Sequence, residues 1–270
     1  MSDESMLIRL SDVSIERGST RILDRINLAI PQSQHVTILG PNGSGKSTLL
    51  KLLMKYFYPS VVDGKAGSVH LLGREDWNVW ELRAHLGFIS SEIDHHFSLG
   101  RSARLSALHT VLTGFSASEL EPDLDSVTAR MRTEAIRLLE LFGMNANQDK
   151  SVGLMSTGER RRVLLARSMV MGPKAIILDE PTSGLDLLAR TRLLNEVNQL
   201  AKSGTQIILV THHIEEILPC IERTILLKSG RIFFDGKTAD AINDATITSL
   251  YDAPVRIERD SDGYFHALLA

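Results

Sequence analysis

The sequence predicts an α/β fold: a mixed sheet around a strand–loop–helix unit, with an antiparallel β section ahead of it and a helical segment inserted in the core. Three observations predict it. A short apolar run at His35 to Leu39 leads into a glycine-rich loop and then an apolar-periodic segment, Ser47 to Phe57. From about residue 92 to 170 strand signals vanish, and helix-like stretches such as Thr128 to Phe142 dominate. Strand-like runs return at Ala175 to Leu178 and Gln206 to Val210, with a helical pattern between them.

The remaining elements follow from alternation and turn chemistry. Leu7 to Ile15 and Arg21 to Ile30 read as strands around a turn at Gly18-Ser19. Glu121-Pro122-Asp123 marks a loop between helices, and Thr224 to Phe234 reads as a hairpin turning at Ser229-Gly230. No motif occurs twice, so the 270 residues hold one copy of the architecture.

Bulk properties exclude several classes. With 43% hydrophobic and 23% charged residues the chain has material for a real core, which argues against global disorder. A formal net charge of -3 gives no reason to expect a nucleic-acid partner. The single cysteine, Cys220, permits no intramolecular disulfide and fits a reducing compartment. The acidic start lacks a long apolar segment and does not read as a secretory signal. No run of about 18 apolar residues is present, so a membrane span must come from another chain if the protein serves a membrane process.

Gly40-Pro41-Asn42-Gly43-Ser44-Gly45-Lys46-Ser47, with Thr48 behind it, matches G-x-x-x-x-G-K-[ST] in full. The spacing is chemical. Glycines let backbone N–H groups curl around phosphate oxygens, Lys46 brings a point charge to the β and γ phosphates, and the Ser47 hydroxyl ligates Mg²⁺. The following helix aims its N-terminus at the anion. A plain Gly/Ser turn is the competing reading, but it leaves the strand before and the helix after unexplained.

Ala175 to Leu178 is an apolar strand that ends in Asp179-Glu180. Alone, this is what any strand shows where it meets solvent. With a phosphate loop in the same chain, ligands bind beyond the carboxyl ends of parallel strands. Asp179 then reads as a member of the Mg²⁺ shell, and Glu180 as the group that polarises the attacking water.

Further motifs narrow the family. Met155-Ser156-Thr157-Gly158-Glu159 resembles the LSGGQ signature, and Asp179 to Asp186 resembles the Walker B and D-loop string, Asp-Glu-Pro-Thr-Ser-Gly-Leu-Asp. Thr211-His212 ends the next apolar strand, where a switch histidine stands in the same family. In this order the motifs resemble the ATP-binding cassette (ABC) ATPases over nearly the whole chain. Ser156 with Glu159 is also an S-x-x-E capping box, so a simple capped helix is the bland alternative.

The resemblance implies a P-loop NTPase core with an antiparallel β subdomain and a helical subdomain at about 92–170. It implies one nucleotide-binding domain over 1–270, with a tail from about 238. Two copies would sandwich two Mg-ATP, so that Ser156, Thr157, Gly158, Glu159 and Asp186 of one face the phosphates held by the other. Lys46, Glu180 and His212 would carry the chemistry. Separate permease chains would place the protein at the cytoplasmic face of a membrane. Ser249 to Val255 resembles the ends of metal-chelate uptake ATPases, and the whole chain is similar to molybdate-type ones, which points to import. The alternatives are a non-transport ABC ATPase acting on ribosomes or DNA, for whose long coiled-coil arm the 110 positions from Lys46 to Ser156 are too few, and a soluble regulatory ATPase without a permease.

The chain departs from the family pattern at four places. Thr157 replaces a glycine and Glu159 a glutamine of the signature. Ser91 stands where a Mg²⁺-contacting glutamine is usual, with Glu92 or a water on Ser91 as substitutes. Arg17 stands where an adenine-stacking aromatic is usual, and its planar guanidinium can also stack on a base. Arg160-Arg161-Arg162 reads as a solvated helix face. Asp94-His95-His96 with Glu92 lacks metal-ligand spacing, because adjacent histidines point apart.

Overall fold

The computed structural model describes residues 5–117 and 122–269, so Glu121 of the expected interhelical loop lies outside it. The chain forms two compact units. The first comprises residues 5–79 and 206–269, and the second residues 80–117 and 122–205.

In the first unit, β1 (Met6–Arg17) and β2 (Thr20–Pro31) pair antiparallel from Arg17–Thr20 out to Met6–Pro31. Both run past the apolar alternation, because backbone pairing continues through Glu16 and Arg17 to the turn, where Gly18 takes φ +60°. All four residues of β3 (Val36–Leu39) are buried, as a strand covered on both faces requires. Helix α1 (Lys46–Leu53) ends earlier than the apolar pattern does, and Lys55 leaves helical geometry at φ +60°. The two-residue strands β4 (Val61–Val62) and β5 (Lys65–Ala66) form a small hairpin. β6 (Ser68–Leu71) then joins β1 to give the antiparallel order β2-β1-β6.

The second unit opens with α2 (Val79–His85) and β7 (Leu86–Ile89), followed by α3 (Ser91–Ser98), α4 (Ala107–Leu112), α5 (Ala129–Leu141) and α6 (Thr157–Met169). Thr128 accepts a hydrogen bond from the Met131 N–H at 3.2 Å and so starts α5 as an N-cap. Ala135, Leu138 and Leu139 form its buried stripe, with Phe97, Val111 and Phe142 also in the core. β8 (Ala175–Asp179) pairs parallel with β7, and α7 (Leu187–Lys202) follows.

The first unit resumes with β9 (Gln206–Thr211), β10 (Arg223–Lys228) and β11 (Arg231–Lys237). β3 lies between β10 and β9, parallel to both, and β11 is antiparallel to β10, so this unit carries a mixed sheet. α8 (Thr238–Ala241), α9 (Asp244–Tyr251) and the hairpin β12 (Val255–Arg259) with β13 (Phe265–Leu269) complete it. The β10–β11 turn is Ser229-Gly230, with both residues at positive φ.

Two stability predictions follow from this packing. A Cβ on Gly230 would lie 2.3 Å from the Ile22 carbonyl oxygen, at a φ of +74°. Gly230→Ala should therefore cost roughly 1–3 kcal/mol, read as a lower urea midpoint at unchanged slope. On α7, the Glu196 Oε2 is buried without a hydrogen-bond partner among the described residues. Burial pushes this carboxyl up to about 7 from 4.5, against the opposing pull of Arg162 and Arg192. Between those values the folded chain keeps a proton that the unfolded chain releases, so stability from this group is full below the lower value and lost as pH rises through the higher. Glu196→Gln should raise Tm relative to the parent at about pH 8, with the gain fading toward about pH 4.5; an equal shift at both would refute the assignment.

Candidate active site

Steric exclusion builds the loop between β3 and α1. A Cβ on Gly40 would sit 2.2 Å from the Leu227 carbonyl oxygen, and one on Gly45 would sit 2.7 Å from Leu23 Cδ2. Gly43 and Gly45 take φ +79° and +107°, which only glycine adopts freely. The turn is pinned by Ser44 N–H donating to the Pro41 carbonyl at 3.2 Å, and by Gly230 N–H donating to the Ser44 carbonyl at 2.9 Å. Lys46 is buried and folds back along the loop. Its Nζ donates to the Gly40 carbonyl at 2.7 Å and to the Pro41 carbonyl at 3.1 Å. Ser44 Oγ is buried with no hydrogen-bond partner among the described residues, a polar atom set inside the cradle. Ser47 is exposed on the first turn of α1, Thr48 is half-buried behind it, and Asn42 is exposed at the loop tip.

Also in the first unit, Arg17 is exposed at the end of β1, with its guanidinium 5.1 Å from the centre of the Phe57 ring. His212 follows β9, its ring tilted 39° against that of His213 with 3.9 Å between centroids. The Tyr251 hydroxyl, at the end of α9, donates to the His212 carbonyl at 3.0 Å. The sequence reading had no signal for this contact beyond the resemblance of the Ser249 to Val255 segment.

In the second unit, β8 delivers Asp179 and Glu180, both half-buried, to its carboxyl end. Glu180 has φ +47°, the left-handed region that a non-glycine residue occupies only where its surroundings enforce it. Its carbonyl accepts from Ser183 N–H at 3.1 Å. Asp186 caps α7, accepting from Ala189 N–H at 2.8 Å.

Ser156 caps α6 by the expected reciprocal pair: its Oγ accepts from Glu159 N–H at 3.2 Å, and Glu159 Oε2 accepts from Ser156 N–H at 2.9 Å. That N–H bond, with Lys150 at 3.0 Å, holds the Glu159 carboxyl below its ordinary value. A Cβ on Gly158 would approach Ala189 Cβ at 3.0 Å. Ser156, Gly158, Glu159, Arg162 and Asp186 line an open pocket of about 500 Å³, beside Leu187 and Leu188. Those two leucines are 76% and 80% exposed.

The arginine run corrects the sequence expectation. Arg160 and Arg161 are not solvated; they are 8% and 3% exposed. Arg160 Nε donates to Asp94 Oδ1 at 2.6 Å, and Arg161 Nη1 donates to the Glu180 carbonyl at 2.8 Å. Burial of the guanidinium groups is sustained by a buried carboxylate and by backbone carbonyls at a strand end. Helical spacing carried a trace of it, since Arg160 and Arg161 precede Val163, Leu164 and Leu165 by three and four positions. Asp94, once considered beside His95 and His96, points into this cluster and is buried, whereas both histidines are exposed. At the glutamine position, Ser91 is an exposed first residue of α3. The cap is its neighbour, Ser90, whose Oγ accepts from Ile93 N–H at 3.3 Å.

The family model described as "ABC transporter" matches residues 23–183. Over 265 residues the chain is 31% identical to "Uncharacterized ABC transporter ATP-binding protein YlmA" of Bacillus subtilis (strain 168), covering 96% of each chain. It is 31% identical over 230 residues to "Cobalt import ATP-binding protein CbiO" of Rhodobacter capsulatus, covering 84% of this chain and 77% of that one. Among solved structures, the dimeric post-hydrolysis state of the ATP-binding cassette MJ0796, bound to ADP and Pi, matches at TM-score 0.68 and 25% identity, covering 85% of this chain and 98% of that one. With a glycine-rich loop before α1, an acidic end to β8 and a capped start to α6, these matches identify the chain as a member of the ABC transporter family, an ATP-binding cassette that hydrolyses ATP.

Proposed function

We propose that the chain powers a membrane importer: two copies close on two Mg-ATP, and hydrolysis resets separate permease chains at the cytoplasmic face of the membrane. The observation that carries the dimer is the capped N-terminus of α6, open to a pocket on its own unit and flanked by the exposed Leu187 and Leu188. A helix N-terminus is an anion site, and two leucines at the rim are apolar surface that a second copy covers. The dimeric relative described above supports the same reading. Import is favoured by the name of the cobalt-import relative and by the resemblance of the Ser249 to Val255 segment to metal-chelate uptake ATPases. Among the described residues no helix is long and apolar enough to cross a membrane, so this reading assigns the span to the permease.

In this reading the whole chain is one nucleotide-binding domain, its helical portion at about 92–170. On the first unit, Gly40 to Thr48 hold the phosphates, Lys46 shifts its ammonium from the loop carbonyls to them, and His212 meets the γ-phosphate. Arg17, its guanidinium 5.1 Å from the centre of the Phe57 ring, stacks on adenine. On the second unit, Glu180 polarises the attacking water, while Ser156, Thr157, Gly158, Glu159 and Asp186 serve the partner copy's nucleotide. The glycine cradle and the partnerless Ser44 Oγ fit an anionic ligand. On the first unit the Ser47 hydroxyl, and on the second the Asp179 carboxylate and the Ser91 hydroxyl, are hard oxygen donors of the kind that suits Mg²⁺. When bound, Mg²⁺ neutralises charge on the β and γ phosphates.

Lys46→Ala should abolish measurable ATP binding in titration calorimetry with Mg²⁺, because it removes the cation facing the phosphates. Equal affinity in mutant and parent would sink the phosphate-loop assignment. Glu180→Gln keeps size and hydrogen bonding but loses the charge that orients water. Its turnover should drop at least about 10²-fold with ATP still bound, and it should accumulate as an ATP-dependent dimer, seen as doubled mass by light scattering. A Glu180→Gln protein that stays a monomer with saturating ATP would count against the sandwich. Affinity capture of the tagged chain from detergent-extracted membranes should recover chains with membrane-spanning helices; recovery of soluble chains alone would favour the permease-free alternative.

A further inference from the structure

The buried arginines of α6 make a cluster that the ATPase reading does not use. Asp94, Arg160 and Arg161 are 7%, 8% and 3% exposed. Arg160 grips the Asp94 carboxylate with two donors, Nε to Oδ1 at 2.6 Å and Nη2 to Oδ2 at 3.4 Å. The same Oδ2 lies 3.7 Å from Arg161 Nε, at ion-pair rather than hydrogen-bond distance. Arg161 turns its far end to β8: Nη1 donates to the carbonyls of both Glu180 and Pro181.

A buried ion pair is a poor device for stability alone, because well-packed apolar residues of similar volume often serve as well. Here the charge has a geometric use. Glu180 sits at φ +47°, a conformation that persists in a non-glycine residue only when the surroundings over-determine it. Its carbonyl is fixed by the Ser183 N–H and by Arg161. The carbonyl after it is fixed by the same Nη1, which carries two N–H groups. Two successive peptide planes are thus set by one guanidinium, and Asp94, 3.7 Å from its Nε, is the buried counter-charge beside it. The direction of the Glu180 Cα–Cβ bond follows from those planes.

We propose that Arg161 is a positioning residue for hydrolysis: it holds the Glu180–Pro181 backbone so that the Glu180 carboxylate is aimed, with Asp94 keeping the guanidinium in place. This rests on the reading of Glu180 as the group that polarises water. Arg161 touches neither nucleotide nor water in this scheme and acts only through the backbone.

The test uses the full-length protein and reads kcat, KM and ATP affinity separately, per folded fraction. Arg161→Met keeps the length and removes every donor. It should lower kcat on the order of 10–10² fold, the scale of a small misplacement of a catalytic group, with the calorimetric Kd for ATP unchanged within about twofold. Arg161→Lys keeps one charged donor and should recover part of the loss, and Asp94→Asn should lower kcat in the same direction. In a Glu180→Gln background, Arg161→Met should cost no further turnover, because the group it aims is already disabled. Wild-type kcat in folded Arg161→Met, or a full additional loss in the Glu180→Gln background, would overturn the proposal. Should Arg161→Met not fold, Arg161→Lys decides on the same criteria: a lower kcat at unchanged Kd supports it, and parental kcat overturns it. The two levels stay distinct. Parental turnover in Glu180→Gln removes the reading of Glu180 itself, whereas slow Glu180→Gln with unaffected Arg161→Met removes only the positioning role.

Discussion

The constraint on which the first unit depends is the absence of room for a side chain between the glycine-rich loop and its neighbours. Gly40 lies against the Leu227 carbonyl, Gly45 against Leu23, and Gly230 against Ile22. These contacts bring backbone from β2, the loop and the β10–β11 hairpin to distances that no Cβ permits. Close packing transmits position, because interiors of this density deform little. The hairpin turn then holds the loop directly, through the Gly230 N–H on the Ser44 carbonyl. The loop's shape is thus set by contacts of the chain itself, and Lys46 satisfies its ammonium on the loop's own carbonyls.

The second unit solves a different problem, that of holding polar groups at the ends of elements. Each relevant helix there begins on a side-chain acceptor: Ser90 for α3, Ser106 for α4, Thr128 for α5, Ser156 for α6 and Asp186 for α7. Capping satisfies the N–H groups that a helix start leaves open. At Ser156 the cap is doubled by Glu159, and Lys150 and Asn147 steady that carboxylate in turn. The replacement of a glutamine by Glu159 thus acquires a physical sense. A carboxylate accepts from the Ser156 N–H, from Asn147 and from Lys150 together, and it keeps its charge because those donors favour the ionised form.

Much of this was legible in the sequence, for identifiable reasons. Local signals did well where the cause is local: the Ser156–Glu159 box, Thr128 at the start of α5, the Ser229-Gly230 turn, and the apolar runs of β3, β8 and β9. Strand and helix ends shifted by a few residues where backbone pairing outlasted the apolar pattern, as at Glu16-Arg17, or where a positive φ ended a helix, as at Lys55. The arginine run was misread because its partners are remote. Asp94 stands 66 positions before Arg160, and Glu180 lies 19 after Arg161. A charge run in one sequence defaults to solvent, and only the tertiary structure supplies the carboxylate and carbonyls that make burial tolerable.

The tail shows the same lesson from the opposite side, since a resemblance there had no local chemistry attached. Tyr251 supplies it. Its hydroxyl bonds the His212 carbonyl, and burial pushes that hydroxyl up to about 12, with Glu215 adding to the shift. A phenol so placed remains a protonated donor through the whole working range of pH, which an acceptor-only carbonyl partner requires. The residues around it are tied as well: Lys228, at the end of β10, donates to the Ser249 carbonyl at 2.6 Å and to Asp252 Oδ1 at 2.7 Å. The segment after β9 is therefore gripped by its backbone from α9, and α9 is gripped from β10. This arrangement leaves the position of His212 to the fold and the orientation of its imidazole to the side chain and its tilted contact with the His213 ring.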